Sequence, residues 1–267
     1  MSSDDALAEA YNRGLRLEKA GDREGAAEAY QEVLRLDPED RGGASVRLAA
    51  MGLGPVPDAA PEAYVATLFD QNAAAFDDML VEQLGYAVPM MVRERMAALG
   101  LGPFERMLDL GCGTGLTGAS MNDLAAEISG VDLAEAMLEE ADERDCYDAL
   151  YVGEAVAFLE ESGEGPWDLV TATDVLPYLG ALDRFFTAAA KEMTPGGLLV
   201  VSSETLPPEQ MDGRDYLVGA KHRYAHGLAY LERMMREAGF TCLEAQPITV
   251  RYDEGQPVLG YLIFCTL

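Results

Sequence analysis

The feature that most constrains the fold is the segment MLDLGCGTGLTG, residues 107–118. A short apolar run ends near Asp109, glycines then recur at alternate positions, and a helix-compatible segment follows over residues 116–126. Glycine is needed where a tight turn requires positive φ and where the backbone approaches a ligand closely. The segment therefore predicts a strand, a glycine turn and a helix that together form a ligand site.

Two classes of cofactor fit this turn. The spacing Gly113-x-Gly115-x-x-Gly118 satisfies the dinucleotide fingerprint, and Asp132 follows at the distance expected of a ribose-binding acid, so a nicotinamide-dependent oxidoreductase stays open. Asp109 favours the other class. A carboxylate directly before the glycines faces a pyrophosphate unfavourably, whereas it suits S-adenosylmethionine (SAM), which carries an ammonium group and a sulfonium and no phosphate.

At this point the chain resembles the class I SAM-dependent methyltransferases, whose first motif has an acidic residue before G-x-G-x-G. The resemblance implies an α/β fold: a seven-stranded, mostly parallel Rossmann-like sheet with helices on both faces. It covers residues 62–267, with 62–105 as a helical lid and 106–267 as the core. The Pro195-Gly196-Gly197 turn and an antiparallel finish over residues 240–266 also resemble the family. We expect a SAM-dependent methyltransferase with S-adenosylhomocysteine as product.

The resemblance also implies which residues hold the cofactor. The glycine loop and Asp109 would hold the methionine end, Asp132 the ribose, and Glu154 with Ala155 the adenine, although family members usually have Asp or Asn in place of Glu154. Structural roles stay open: core packing for Phe76, helix capping for Asp132. The expected cofactor-binding residues are Phe76, Asp109, Gly111, Cys112, Gly113, Gly115, Asp132, Leu133, Met137, Glu154, Ala155, Thr173 and Asp174.

The acceptor side is expected in the irregular stretch 205–226 and in the lid. His226 is a general-base or acceptor-binding candidate because histidine transfers protons near neutral pH, with a capping or surface position as the alternative. Arg223 and Arg251 concentrate the little basic character of the chain and leave an anionic acceptor open. The expected catalytic residues are His226, Glu204 and Tyr86, and we expect no metal site.

The charge excludes some partners. Lysine and arginine number 19 and aspartate and glutamate 47, so the formal charge is 19 − 47 = −28. Such an acidic surface repels phosphate backbones and anionic lipids, and we expect neither a nucleic acid nor a membrane as partner. The four cysteines lack paired or metal-ligand spacing, and the chain starts with an acidic, polar segment. These features predict reduced thiols in a cytoplasmic protein.

The first 51 residues predict a small all-α unit. Residues 7–40 show helical periodicity twice, broken at Gly21-Asp22, at the spacings of one tetratricopeptide (TPR) repeat, and residues 43–51 predict a third helix. The Gly- and Pro-rich segment 52–61 predicts a linker. The chain further resembles a bacterial group of predicted methyltransferases with such a repeat, in which a similar FDxxAxxFD…LGY segment occurs.

One repeat cannot bury its own apolar face, so this unit must pack against something. An intramolecular cap, a homodimer contact and a groove for a protein partner all remain open. For the whole chain we expect methyl transfer to a small-molecule acceptor. The alternatives are a protein methyltransferase, a SAM-binding adaptor that recruits a partner through the TPR-like unit, and, less favoured, the NAD(P)-dependent oxidoreductase.

Overall fold

The computed structural model of the protein describes residues 3–267, in which an N-terminal group of helices precedes a mixed α/β region. The helices are α1 (Ser3–Lys19), α2 (Arg23–Leu36), α3 (Ala44–Ala50), α4 (Glu62–Asp70), α5 (Val88–Leu99), α6 (Leu116–Met121), α7 (Glu135–Asp142), α8 (Ala155–Glu161), α9 (Asp183–Lys191), α10 (Pro208–Met211) and α11 (Leu228–Glu237). The strands are β1 (Phe104–Leu110), β2 (Ala125–Asp132), β3 (Ala149–Val152), β4 (Trp167–Ala172), β5 (Met193–Glu204), β6 (Tyr216–Val218), β7 (Tyr224–His226), β8 (Thr241–Asp253) and β9 (Gln256–Thr266).

Seven strands form one sheet in the order β3-β2-β1-β4-β5-β9-β8. The first five in this order are parallel, and β9 runs antiparallel to both β5 and β8. The predicted seven-stranded, mostly parallel sheet is therefore confirmed. The order reverses between β1 and β4, where Asp109 is in register with Thr171. In open α/β sheets this reversal is where ligands bind, beyond the carboxyl ends of the strands.

Both faces of the sheet are covered by apolar side chains, which explains the nearly continuous apolar sequences of β4 and β5. On one face, Phe185 and Phe186 of α9 and Leu231 of α11 are buried against the sheet. On the other face, Val92 and Met96 of α5 are buried with Met107 and Phe264 in a second core. These two layers position the strand ends from which the site is built.

The N-terminal helices α1, α2 and α3 pack around the fully buried Tyr30. Helix α3 also turns Val46 and Ala49 toward the separate two-stranded sheet of β6 and β7, where they pack with Val218 and Tyr224. A polar contact joins the same two regions, because Arg47 and His222 both lie beside the carboxylate of Glu18, at 3.0 and 3.3 Å. The N-terminal helices are thus packed on the rest of the chain.

The structure differs from the sequence prediction in three places. The helix expected over residues 116–126 ends at Met121, because β2 already begins at Ala125. The stretch expected to be irregular, 205–226, contains α10 and the β6–β7 pair. The linker is ordered near its end, where Ala59 forms an antiparallel bridge with Leu179. No helix in residues 3–267 has both the length and the apolar content needed to cross a membrane.

Candidate active site

A cavity of about 490 Å³ opens at the carboxyl ends of β1 and β4. Its floor is the glycine loop and the ends of β2, β3 and β4, and its other walls come from α4, α5 and the linker. The lining residues are Asp58, Ala59, Ala60, Pro61, Glu62, Val65, Phe69, Phe76, Leu80, Tyr86, Pro89, Gly111, Cys112, Gly113, Thr114, Leu116, Thr117, Asp132, Leu133, Gly153, Glu154, Ala155, Val156, Thr173, Asp174, Val175, Tyr178, Leu179, Ala181, Asp183 and Arg184.

Two glycines of the loop have positive φ but different surroundings. Gly111 has φ +60°, and a Cβ there would lie 2.5 Å from Cγ2 of Val175. Gly113 has φ +54° and no atom within 4 Å of the position its Cβ would take, so the backbone faces open space in the cavity wall. A loop with such free space next to the backbone is suited to close approach by a ligand.

The carboxylate of Asp132 is fixed at the end of β2. The backbone N–H groups of Gly113 and Ala134 each donate to one of its oxygens, both at 2.9 Å. Burial raises the pKa of Asp132, and the backbone donors oppose that rise. Each oxygen keeps a lone pair for a further donor. Asp132 is therefore a fixed hydrogen-bond acceptor in the cavity wall.

Asp109 lies beneath the glycine loop and does not line the cavity. It is fully buried and accepts hydrogen bonds from the Tyr147 hydroxyl at 2.8 Å and the Thr171 hydroxyl at 2.7 Å. Burial raises the pKa of Asp109 to about 6, against the effect of these two donors. The structure thus places this carboxylate as a support of the loop rather than at the cavity surface.

Tyr147, which the sequence reasoning missed, accounts for part of the glycine pattern. A Cβ on Gly118 would lie 2.4 Å from Cζ of Tyr147, and one on Gly115 would lie 3.0 Å from Cε2. The Tyr147 oxygen also accepts from the N–H of Gly118 at 3.2 Å. The third glycine of the dinucleotide-like spacing is therefore explained by packing against a tyrosine.

Within the lid, the FDxxAxxFD segment, residues 69–77, contacts the site through both its aromatic and its acidic residues. The Phe69 ring makes edge contacts with Phe76 at 5.7 Å and with Tyr178 at 5.4 Å between centroids. Asp77 accepts a hydrogen bond from the Thr114 hydroxyl of the glycine loop at 2.5 Å and pairs with Arg144. The lid is thus joined directly to the loop that it covers.

The segment 57–62, here called the strap, forms another wall that the sequence did not reveal. The Asp58 carbonyl accepts hydrogen bonds from the N–H groups of Gly180 and Ala181, both at 2.8 Å, and the Ala60 N–H donates to the Tyr178 carbonyl at 2.8 Å. The Tyr224 hydroxyl donates to the carbonyl of Pro57 at 3.0 Å. The strap is therefore an ordered wall of the cavity, held in place by hydrogen bonds.

A buried ionic cluster lies behind the cavity wall at Asp174. Arg223 donates to Asp174 at 2.6 Å, to Glu204 at 2.7 Å and to the Tyr178 hydroxyl. Arg251 donates to Glu204 at 2.5 Å and lies 3.7 Å from Asp174. Burial raises the pKa of Asp174, and the two guanidinium groups oppose that rise. The cluster pairs two carboxylates with two arginines, and only Asp174 and Tyr178 reach the cavity wall.

The structure brings most of the expected site residues together, but not all. Asp109, Gly115, Met137, Glu204 and His226 are not part of the cavity wall. Met137 is fully buried with Ala73 and Ala134 below the lid. The residues expected at the site that do line the cavity are Phe76, Tyr86, Gly111, Cys112, Gly113, Asp132, Leu133, Glu154, Ala155, Thr173 and Asp174.

His226 and Glu204 occupy positions that do not suit the roles expected of them. His226 is fully buried, its ring stacks on Tyr230 at 6.1 Å, and neither ring nitrogen has a hydrogen-bond partner within residues 3–267. Burial lowers the pKa of His226 to about 4, so the ring is neutral near pH 7. Glu204 is held by Arg223 and Arg251. Tyr86 does line the cavity, and burial raises the pKa of its phenol.

The charges of the lining residues favour a cationic ligand over an anionic one. One basic side chain, Arg184, is found among the lining residues. Against it stand the carboxylates of Asp58, Glu62, Asp132, Glu154, Asp174 and Asp183. A wall of this composition suits an ammonium or sulfonium group and opposes a pyrophosphate. The arginines expected to leave an anionic acceptor open, Arg223 and Arg251, are instead paired with carboxylates.

Comparison with known proteins supports the fold described above. The profile of the family described as Methyltransferase domain matches residues 67–245. The ubiquinone biosynthesis O-methyltransferase of Caulobacter sp. (strain K31) is 33% identical over 109 residues, 39% of this chain and 43% of that relative. The protein of the same name from Psychrobacter arcticus is 28% identical over 185 residues, 62% of this chain and 72% of the relative. The chain thus spans less than half of the Caulobacter protein.

A solved structure shares the fold. The N-methyltransferase NodS from Bradyrhizobium japonicum WM9, crystallised with S-adenosyl-L-homocysteine, superposes with a TM-score of 0.57 at 15% identity, covering 76% of this chain and 97% of NodS. At this identity the likeness concerns the fold alone.

Proposed function

Because the chain belongs to the methyltransferase-domain family and is a SAM-dependent methyltransferase, we propose that it transfers a methyl group to a small-molecule acceptor held beneath the lid and the strap. SAM supplies a methyl group on a positively charged sulfur and leaves as S-adenosylhomocysteine. The observation that carries the proposal is the position of the cavity, at the carboxyl ends of β1 and β4, between the glycine loop and the lid.

The residues of the cavity fit this cofactor. We propose that Asp132, fixed by two backbone N–H groups, binds the ribose hydroxyls, and that Leu133 and Ala155 flank the adenine. The open backbone at Gly113 would face the methionine end, and Asp109 would support the loop from below. The predominance of carboxylates in the wall supports a cationic cofactor and gives no site for a pyrophosphate.

A small-molecule acceptor is supported by how the cavity is enclosed. The lid and the strap cover it, and apolar or phenolic side chains, including Phe69, Tyr86 and Tyr178, form the wall opposite the glycine loop. Two relatives are named for an O-methyltransferase step in ubiquinone biosynthesis, which is methylation of a small molecule. The chain's own contribution is to exclude water and to align the acceptor, effects that dominate when charge disappears during the reaction.

For the N-terminal helices we propose the role of an intramolecular cap. We take residues 1–51 as a TPR-like unit, 52–61 as a linker and 62–267 as the methyltransferase domain. The contacts of Val46 and Ala49 with Val218 and Tyr224 support the cap, since they pack the third helix of the unit against the rest of the chain. The likeness to TPR-containing methyltransferases rests on the sequence. The four free thiols support a cytoplasmic location.

Two measurements test the proposed function. Isothermal titration calorimetry of the purified protein should show binding of SAM and of S-adenosylhomocysteine, and no heat with NAD or NADP. Incubation with methyl-labelled SAM and cell extract, followed by separation by size, should place the label in the small-molecule fraction. Absence of binding would contradict the function as a whole, whereas label found only in macromolecules would contradict the small-molecule acceptor.

A further inference from the structure

We infer that Asp174 is the catalytic carboxylate on the acceptor side, and that it receives the proton of a hydroxyl group on the acceptor. This inference rests on the proposed methyltransferase function and adds to it the chemical class of the acceptor. Asp174 follows β4 and lines the cavity together with Tyr86 and Tyr178. The next residue, Val175, packs against Gly111, so Asp174 lies directly beside the glycine loop.

The backbone at Asp174 is held in an uncommon conformation. Its φ is +64°, in the left-handed region, and its N–H donates to the Ser202 hydroxyl at 2.8 Å. Aspartate tolerates this region better than most residues, but the conformation still requires support from its surroundings. At this turn the chain leaves the direction of β4, and the Asp174 carboxylate lies between Arg223 and the cavity.

Only one of the two carboxylate oxygens is occupied by the protein. Oδ1 accepts from Arg223 at 2.6 Å and lies 3.7 Å from the guanidinium of Arg251. Oδ2 has no hydrogen-bond partner within residues 3–267. The side chain is 17% exposed, so it is largely desolvated but still reachable from the cavity. A fixed carboxylate with one free oxygen is suited to accept a hydrogen bond from a ligand hydroxyl.

Arg223 is the positioning residue for this carboxylate. Its guanidinium donates to Asp174, to Glu204 and to the Tyr178 hydroxyl, and it lies 4.7 Å from the centre of the Tyr178 ring. Because these donors are already paired with carboxylates and a phenol, Arg223 is not free to bind an anionic acceptor. Glu204 and Arg251 complete the charge balance. Because the charges of the cluster are already paired, Asp174 is suited to bind a neutral group that can donate a proton.

The chemical step follows from this arrangement. The acceptor O–H bond breaks as Oδ2 of Asp174 takes the proton, and an oxygen lone pair forms the new bond to the methyl carbon. The methyl–sulfur bond breaks at the same time, its electron pair stays on sulfur, and neutral S-adenosylhomocysteine leaves. The neutral carboxyl then returns its proton to solvent when the cavity opens. Burial raises the pKa of Asp174, which makes it a stronger base than an exposed aspartate, and Arg223 and Arg251 keep it ionised before the step.

The test compares two aspartate-to-asparagine variants. Asp174→Asn removes the base, and Asp212→Asn is its matched control, because Asp212 also has positive φ (+49°) but is exposed and is not among the lining residues. Asparagine tolerates this region as aspartate does, so neither substitution strains the backbone, and circular dichroism of both variants checks that they are folded. With labelled SAM and a panel of catechol, 4-nitrocatechol and 4-nitrophenol, we expect Asp174→Asn to lower kcat about 100-fold or more. The dissociation constant for SAM should stay within about threefold.

A second readout does not depend on turnover. In the presence of S-adenosylhomocysteine, the absorbance of bound 4-nitrocatechol reports its ionisation. Beside the Asp174 carboxylate the probe should bind as the neutral phenol, and in Asp174→Asn its ionisation should move to lower pH, because the repelling charge is gone. Arg223, Arg251, Glu204, Tyr86 and Tyr178 face Asp174 as well and are unchanged in this comparison. Asp212→Asn should match the native protein.

The outcomes separate the two proposals. Failure of the native protein to bind SAM contradicts the proposed function. Binding of SAM with no transfer to any of the phenols, or unchanged kcat in Asp174→Asn, overturns the inference about Asp174 and leaves the methyltransferase intact. An Arg223→Lys variant, which keeps the charge but loses the planar fork, should lower kcat about tenfold with little change in SAM binding.

Discussion

The carboxylate of Asp77 accepts a hydrogen bond from the hydroxyl of Thr114 at 2.5 Å, and this contact joins the lid to the glycine loop across 37 residues of chain. Arg144 strengthens the contact from below, since it pairs with Asp77 and donates to the carbonyl of Thr114. The lid can therefore move away from the glycine loop at this point only if these contacts break.

We expect Asp77→Ala to accelerate release of the cofactor. Loss of charge-assisted hydrogen bonds of this kind costs about 1.5–3 kcal/mol, which corresponds to about a 10- to 100-fold faster dissociation of S-adenosylhomocysteine. Stopped-flow displacement of a fluorescent analogue measures the rate. The neighbouring Asp78 is exposed, so Asp78→Ala is the control and should leave the rate unchanged. Equal rates in all three proteins would show that the lid is not held by this contact.

Asp132→Asn tests the ribose interaction. The amide can still accept one backbone N–H but has lost the charge and the second acceptor oxygen, so we expect the dissociation constant for SAM to rise about 10- to 100-fold in calorimetry. Asp142→Asn, an exposed position on α7, provides the control. Native affinity in Asp132→Asn would remove this carboxylate from the cofactor site.

Asp109 should make stability depend on pH. Its pKa is raised to about 6 from 3.8 by burial, so the folded state holds a proton that the unfolded state has released between these values. The contribution of Asp109 to the free energy of unfolding is fully present below about pH 4. It falls by about 3 kcal/mol as pH rises through about 6. We expect the difference in unfolding free energy between the native protein and Asp109→Asn to fall by this amount from pH 4 to pH 7. Urea titrations without cofactor measure it, and a constant difference would contradict it.

His226 should make the protein less stable, rather than more stable, as pH falls. Burial lowers its pKa from 6.5 to about 4, so the unfolded state takes up a proton first as pH falls. The stabilisation is present above about pH 6.5 and is lost toward pH 4, by about 3 kcal/mol relative to a variant without the imidazole. His226→Phe keeps an aromatic ring beside Tyr230 and should flatten this loss. It should also retain methyl transfer, and a loss of activity with native SAM binding would restore His226 as a catalytic candidate.

The sheet and the cofactor loop were predictable because their signals are local. Buried parallel strands require continuous apolar runs, and the turn after Leu110 requires glycine, so both leave a clear trace in the sequence. The family resemblance then implied the seven-stranded sheet and the residues expected to bind the cofactor. Of these, Asp132, Thr173 and Asp174 line the cavity because each lies at or just after the end of a strand.

The rest of the site depends on contacts that the sequence does not encode locally. Glu204 and His226 also lie at strand ends, but neither side chain points into the cavity. Glu204 pairs with Arg223, and His226 packs against Tyr216 and Tyr230. The position of a residue along a strand does not reveal where its side chain points. Tyr147 occupies the space beside Gly115, which was expected to bind the cofactor, and beside Gly118, the third glycine of the dinucleotide-like spacing. The strap is fixed mainly by backbone hydrogen bonds, which carry no side-chain signature.

The strap is a part of the cavity wall whose sequence can change independently of the glycine loop. It lies before residue 67, where the match to the shared family begins, yet it forms one side of the cavity and is hydrogen-bonded to the loop that carries Tyr178. Substitutions in this short segment can therefore reshape one side of the cavity while Asp132 and the glycine loop, which belong to other elements, stay unchanged. We expect the choice among acceptors to be tunable there without loss of affinity for SAM.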